Sequence, residues 1–354
     1  MAYTPIDDPT IHFNTKLYTG NGGSQTITGV GFKPDWTWWK SRDAGNSHAL
    51  VDIVRGTNKV LYSDSTSTEQ PISAQTFNSD GYAIVQDAGA NSINSNGSTK
   101  VGWSWLAGGS QGSSNTDGSI NTTYTSANTT SGFSISTYTG TGSAATIGHG
   151  LGAKPAMIIA KRLTGSAEAW VVYHQSLGGG TTPQDKYLHL NSGDAEGDSA
   201  GMWNDTAPTT SLFSVGSTGV SNGSGGTFVA YCFVEKAGYS KFNSYIGNGN
   251  DDGVFIETGF KPAFLLLKMS SGSQGWFLVD NKRAIPSNVI DASLHPNANA
   301  AEDTSSDFFV DFTSNGFKLR DSDAQLNGSG STYIYMAFAE SPFVSSSGVP
   351  TTAR

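Results

Sequence analysis

At 354 residues, with 36% hydrophobic and 11% aromatic residues, the chain can hold two or three domains with apolar cores, and its composition excludes disorder. The 44 glycines, frequent Ser, Thr and Asn, and only 14% charged residues exclude a mainly helical protein and predict many short strands joined by tight turns. A formal net charge of -9 without a basic stripe excludes a nucleic-acid partner, and a single cysteine, Cys232, excludes an internal disulfide framework and a Cys-built zinc site.

Residues 1–9 read as a short arm. They carry Asp7 and Asp8 but no cationic or apolar signal stretch, and no run in the chain approaches the ~18 apolar residues of a membrane span. Synthesis in a cytoplasm without membrane insertion is expected. A first β-rich copy then runs over 10–108. Tyr18-Thr-Gly20-Asn-Gly22 ends a strand in a turn, and Gly31-Phe-Lys33-Pro34 leads into a strand from Asp35 to Lys40. A partner strand follows at 49–52, Phe77-Asn-Ser-Asp-Gly81-Tyr signals a hairpin, and Asn96-Gly-Ser precedes the closing strand Val101-Gly-Trp103-Ser-Trp105. Residues 109–130, rich in Gly, Ser, Asn and Thr, read as a linker.

The same landmarks recur in the same order over 131–236: Tyr138-Thr-Gly140-Thr-Gly142, Gly152-Ala-Lys154-Pro155, Lys161 six residues after the proline, and Asn222-Gly-Ser before 228–234. They recur again over 237–343, as Tyr245-Ile-Gly247-Asn-Gly249, Gly259-Phe-Lys261-Pro262, Lys268, and Asn327-Gly-Ser before Tyr333. Residues 344–354 form a tail. The strands before Lys161 and Lys268 are apolar without alternation, as expected of strands covered on both faces. The predicted fold is all-β: three tandem antiparallel β-sandwich repeats of jelly-roll or lectin-like kind, each a domain of its own, with a three-bladed assembly sharing cores as the alternative.

Chemistry is sparse. Cys232 lies in an apolar run and reads as a core thiol. The six histidines, His12, His48, His149, His174, His189 and His295, do not recur at one place in all copies, which argues against a ligand or general-base role. Asp194-Ala-Glu196-Gly-Asp198 lacks the glycine and distal glutamate of a calcium loop and reads as a solvated acidic loop. Gly108-Gly-Ser110-Gln-Gly112 and Gly219-Val-Ser221-Asn-Gly223 lack the strand and helix of a nucleophile elbow. No enzymatic activity and no cofactor are expected. The residues with the strongest claim to a ligand or partner contact are Trp36, Trp38, Lys40, Arg42, Lys161, Arg162 and Lys268. Trp36 and Trp38 share one strand face and could stack sugars, although core packing is the simpler reading. The lysines end strands, and an anionic glycan is their alternative partner.

The landmarks Tyr18-Thr-Gly-Asn-Gly-Gly, Gly31-Phe-Lys-Pro-Asp35 with Lys40, Gly148-His-Gly-Leu-Gly152 and Tyr333-Ile-Tyr-Met-Ala-Phe-Ala-Glu340 resemble β-rich repeat proteins of tailed phages infecting marine bacteria and cyanobacteria. The resemblance covers nearly the whole chain, including Val349-Pro-Thr-Thr-Ala-Arg354. It implies a virion structural protein, tail-fibre-like or another surface appendage engaged in host attachment, and it carries over no catalytic residues. Capsid decoration or tail assembly with virion proteins as sole partners is the alternative, and a virion-borne carbohydrate-binding or carbohydrate-active protein a further one. Expected partners are other virion proteins, host surface glycans and further copies of the chain, a homotrimer being suggested by Gly/Ser-rich edges. Recognition is expected where the copies differ, at 43–47, 178–185, 194–205 and 296–306.

Overall fold

The computed structural model describes residues 4–85, 91–283, 288–305 and 309–351. Residues 1–3 of the expected arm, 352–354 of the tail and position 306 of the last divergent segment lie outside the described residues. The chain is almost entirely antiparallel β, and one strand order recurs. In a first unit the opening strand Phe13–Thr19 pairs with the closing strand Thr99–Trp105, which pairs with the lysine-bearing strand Trp36–Ser41, which pairs with Ala49–Asp52. The second unit orders Phe133–Thr139, Thr227–Phe233, Met157–Arg162 and Val171–His174 in the same way. The third orders Ser240–Ile246, Thr332–Pro342, Phe260–Met269 and Phe277–Asp280 likewise.

A smaller sheet covers one face of each large sheet. It comprises Ser24–Thr28, Gly81–Val85 and Thr76–Asn78 in unit 1, Ala145–Gly148 and Leu212–Val215 in unit 2, and Phe255–Glu257, Gly316–Leu319 and Val310–Thr313 in unit 3. Strand alternation then sorts the side chains. Trp39, Val51 and Tyr82 fill a core private to unit 1; Ile158, Ala160 and Phe213 one private to unit 2; Leu265, Leu267 and Phe317 one private to unit 3.

The opposite faces meet each other. Trp36, Trp38, Trp103 and Trp105 of unit 1, Met157, Ile159, Tyr231 and Phe233 of unit 2, and Phe264, Leu266, Met336 and Phe338 of unit 3 belong to one continuous central core. Phe13 stacks on Phe338 with centroids 5.0 Å apart, and Trp36 stacks on Tyr231 at 4.5 Å. The apolar, non-alternating strands are therefore covered on both faces, one of them by the neighbouring units. Self-contained copies give way to the shared-core alternative, because a single small sheet leaves half of each large sheet's apolar surface unburied.

Two further expectations change. Within 109–130, Tyr124–Asn128 is a strand on the edge of the unit-2 sheet, paired with Phe133–Thr139, and Ile120 bridges to Ile147. This segment is part of unit 2, since its Thr and Ser side chains suit a pleated edge. The Asn-Gly-Ser landmark of the first copy is also displaced by two residues. In units 2 and 3 the landmark tyrosine donates to the carbonyl preceding the asparagine, Tyr138 to Ser221 and Tyr245 to Leu326, both at 2.7 Å. In unit 1 Tyr18 donates to Ile93 at 2.6 Å, which makes Asn94, not Asn96, the counterpart.

The asparagine carboxamide oxygen accepts the amide between the two glycines of each turn: Asn21 to Asn94 at 3.1 Å, Thr141 to Asn222 at 2.9 Å and Asn248 to Asn327 at 2.9 Å. The first glycine is required by close approach, because a Cβ on Gly140 would lie 2.5 Å from the Gly223 carbonyl oxygen. The second, Gly142, has φ of 76°.

Since the central face of each unit is buried only by its neighbours, a fragment of residues 109–236, the whole of unit 2, is expected to show no cooperative unfolding transition. The full chain should unfold in one transition by scanning calorimetry and circular dichroism.

Candidate binding site at the joints between units

Around the central core the units are joined by polar contacts that repeat with cyclic order: unit 2 reaches unit 1, unit 3 reaches unit 2 and unit 1 reaches unit 3. A head-to-tail contact that closes after three steps forms a ring. The lysine ending each central strand is the first of these contacts. Alternation points it to the central side, where it is fully buried. Lys161 Nζ donates to Glu168 O at 2.6 Å and to Thr66 O of unit 1 at 2.9 Å. Lys40 donates to Ser41 O at 2.9 Å, Ala44 O at 3.2 Å and Asn299 O of unit 3 at 3.3 Å. Lys268 donates to Met269 O at 2.5 Å and Gly272 O at 3.4 Å, and it feels the charge of Asp194 in unit 2. Burial pushes the pKa of each of the three down to about 8.

A second contact comes from the residue before the partner strand. Trp170 Nε1 donates to Tyr62 O of unit 1 and Trp276 Nε1 to His189 O of unit 2, both at 2.9 Å. Unit 1 places His48 there, taking a bond from Trp38 Nε1 at 2.9 Å. A third runs the other way, from a backbone amide seven residues beyond Tyr62, His189 or His295. Glu69 donates to Leu163 O at 3.2 Å, Glu196 to Ser270 O at 2.9 Å and Glu302 to Arg42 O at 2.6 Å. Glu196 thus belongs to a joint. Its neighbours Asp194 and Asp198 are exposed, as expected of a solvated acidic loop, and Asp198 pairs with Lys186 at 2.9 Å.

At the end of the partner strand a buried ionic contact distinguishes the joints. Asp52 holds Arg55 Nε at 2.5 Å and takes a bond from Tyr231 OH of unit 2 at 2.7 Å. Asp280 holds Arg283 Nε at 2.6 Å and takes one from Trp103 Nε1 of unit 1 at 2.9 Å. Strand register puts His174 in the third such place, where its Nε2 lies 3.1 Å from Tyr335 O. There Leu177 stands for the arginine and Met336 for the aromatic donor, so the charge and both of its partners are replaced together. Burial holds His174 neutral, with its pKa lowered to about 4.

The ligand-contact candidates of the sequence thus change role. Trp36 and Trp38 are 1% exposed, within the central core, and offer no sugar-stacking face. Lys40, Lys161 and Lys268 are fully buried and occupied by carbonyls. Arg42 makes a bidentate pair with Glu302 of unit 3, Nε at 2.9 Å and Nη2 at 2.7 Å, with Arg283 Nη1 on the same carboxylate at 2.9 Å. Arg162 stays within unit 2, donating to Thr164 O at 2.8 Å and lying over the Phe228 ring. Ser221 sits buried in the short helix Gly219–Asn222, and burial pushes the Cys232 thiol well up. Among the described residues no group of three or more His, Cys, Asp or Glu is placed to hold a metal ion, and no helix is long and apolar enough to cross a membrane.

Between units 1 and 2 a groove of about 310 Å³ is lined by Arg55, Lys59, Glu69, Gln111, Tyr124 and Leu163, among others. Glu69 pairs with Lys59 at 2.9 Å and faces Arg55 Nη1 at 3.6 Å. Part of its wall comes from the segment read as a linker, which is why the sequence did not disclose it.

A nearly all-β protein of several antiparallel sheets is the class these strands define. The chain belongs to the family described as a domain of unknown function (DUF7483), which matches residues 8–342, so the matched region takes in all three units. No curated protein matches the chain.

Two outcomes test the joints. Arg283→Leu strands the Asp280 charge in the core and is expected to cost about 3–5 kcal/mol in urea unfolding, part of which Asp280→Asn in the same chain restores. His174 is neutral when folded to about pH 4, whereas an unfolded histidine protonates near 6.5, so acid favours the unfolded state. This histidine's contribution is intact above pH 6.5 and lost towards pH 4, roughly 3 kcal/mol in all. His174→Gln should flatten the fall in stability over that window.

Proposed function

We propose that this chain is a structural protein of a phage virion, a tail-fibre-like or surface appendage component in host attachment, and not an enzyme. Its units are read as three tandem β-sandwiches of jelly-roll or lectin-like kind. Support for that finer fold comes from the small sheet over each private core. It comes also from the strand order, in which the opening and closing strands pair on one sheet and the strands next to them in sequence pair on the other.

The observation that carries the functional reading is how the repeated polar side chains are used. The lysines, the tyrosine–asparagine clasps and the buried Asp–Arg pairs all hold the body together, which suits a rigid element that presents surfaces to partners. The resemblance of the landmarks to those of phage repeat proteins suggests the setting. The ring within one chain gives a threefold-like face on which further copies or virion proteins can seat.

Purified chain is expected to block adsorption of the phage to its host, and antibody to the chain to label the virion surface in electron micrographs. Normal adsorption by virions lacking the chain would sink the attachment reading. Loss of head stability in those virions would favour capsid decoration instead.

A further inference from the structure

The opening strands of the three units lie at corresponding places in their sheets, and their polar positions differ in a regular way. Strand register aligns Asn14 and Lys16 of unit 1 with Ser134 and Ser136 of unit 2 and with Lys241 and Asn243 of unit 3. Units 1 and 3 thus carry one asparagine and one lysine each, in opposite order. In both, the carboxamide oxygen takes the following edge amide, Asn14 that of Thr15 and Asn243 that of Ser244, each at 2.9 Å. Unit 3 adds Glu235 Oε2 on the Phe242 amide at 3.3 Å and Gln175 Nε2 on the Phe242 carbonyl at 2.6 Å. Such charges and local bonds keep an exposed edge from pairing with another chain.

Unit 2 has serine at both places, and residues 109–130 cover its edge. Tyr124–Asn128 pairs along the opening strand, and Ser113 closes the outer side of that added strand by exchanging backbone bonds with Thr125 at 2.7 and 3.4 Å. The segment grips the small sheet as well. Ser119 and Thr146 exchange bonds at 2.9 Å, and Ile120 N donates to Thr146 O at 3.0 Å. Its glycines are needed for this fit, since a Cβ on Gly112 would strike the Thr125 carbonyl and one on Gly118 the Thr146 carbonyl. Connecting two units does not require such a segment. Its ends meet where Ser131 Oγ donates to Leu106 O at 3.2 Å, and units 2 and 3 are joined by residues 234–239 alone.

We propose that residues 109–130 are a guard strap, and that the edge Phe133–Thr139 beneath them is a docking surface for a second copy of this chain. Uncovered, that edge presents the backbone groups of Phe133, Ile135 and Thr137. Its sequence, Phe-Ser-Ile-Ser-Thr-Tyr-Thr, carries no charge, so two copies pair edge to edge about a two-fold axis without opposing like charges. The same pairing of two unit-1 or two unit-3 edges would put two lysines and their self-bonded asparagines on the seam. In the intact chain the strap satisfies the edge, so association through it requires the strap to be displaced. Nothing in this depends on the attachment reading.

The test compares, by sedimentation velocity, the intact chain with one in which residues 110–130 are replaced by Gly-Ser, which keeps the Gly109 amide on Asp35 at 2.7 Å. The shortened chain is expected to show a species of twice the intact chain's mass, its share rising with concentration. Ser134→Asn with Ser136→Lys in the shortened chain copies the unit-1 edge and should restore the intact chain's mass. Ser126→Pro in the full-length chain removes an amide from the added strand and should produce the same doubled species without any shortening. A shortened chain that keeps the near-UV circular dichroism of the intact one and its mass overturns the proposal, as does association that the copied asparagine and lysine leave unchanged. If the shortened chain fails to fold, Ser126→Pro decides: a doubled mass supports the guard strap and an unchanged mass overturns it.

Discussion

The structure depends on the second apolar face of each central strand. A strand such as Ala263-Phe-Leu-Leu-Leu carries apolar side chains on both sides, and its small sheet can cover one. At about 25 cal/mol per Å² of apolar surface, leaving the other to water is untenable for a unit of this size. The remaining cover available within the chain is the equivalent face of the neighbouring units, and three such faces close on one another. Aromatic side chains from all three units then meet at the centre, where Trp36 contacts Phe133 and Tyr231 of unit 2, and Phe13 contacts Phe264 and Phe338 of unit 3.

Apolar burial fixes that the units associate but hardly how they are turned against one another. The directional contacts do that. A lysine ammonium drawn into a dry joint is tolerable only where several carbonyls are aimed at it, and those carbonyls belong partly to the next unit. The Asp–Arg pairs are still more demanding, since each needs a third donor across the joint, Tyr231 in one case and Trp103 in the other. Where Met336 takes the place of that donor, the pair is gone and an uncharged histidine, His174, stands in its place. A buried ion with one partner missing is worse than none, which accounts for the three substitutions occurring together.

Much of a single unit was legible in the sequence. The Tyr-x-Gly-x-Gly turn, the Gly-x-Lys-Pro entry and the apolar strand are local patterns, and each is where the spacing places it. The alternation that sets Trp39 opposite Trp36 and Trp38 could also be read directly. What could not be read lies between units. Lys161 meets Thr66 and Arg42 meets Glu302, across separations of 95 and 260 residues, and no local pattern tells a caged lysine from one that ends a strand in solvent. Asn96 misled because Asn-Gly-Ser is turn chemistry wherever it occurs, whereas the functional mark of Asn94 is its reach back to the glycine turn. Residues 109–130 misled for a similar reason, as Ser and Thr suit an exposed linker and an edge strand equally.

The divergent segments take on a different meaning in this light. Recognition was expected where the copies differ, but Ala44 and Asn299 in two of those segments supply carbonyls to Lys40, Pro296 O takes the Ser63 hydroxyl at 2.6 Å, and Glu196 and Glu302 bind the following unit. Segments 43–47, 194–205 and 296–306 thus each meet a different neighbour, a consequence of placing three like units in one chain, whereas the bonds of 178–185 stay within unit 2. Once the joints are independent in sequence, one of them can lose a side chain without the others following. With Leu163 at the position of Arg42, Glu69 keeps its ion pairs with Arg55 and Lys59 but has no counterpart of the second arginine that Glu302 holds. Asymmetry among near-identical joints is therefore what independent sequence drift within one chain produces, and each joint keeps its own way of neutralising its buried charge.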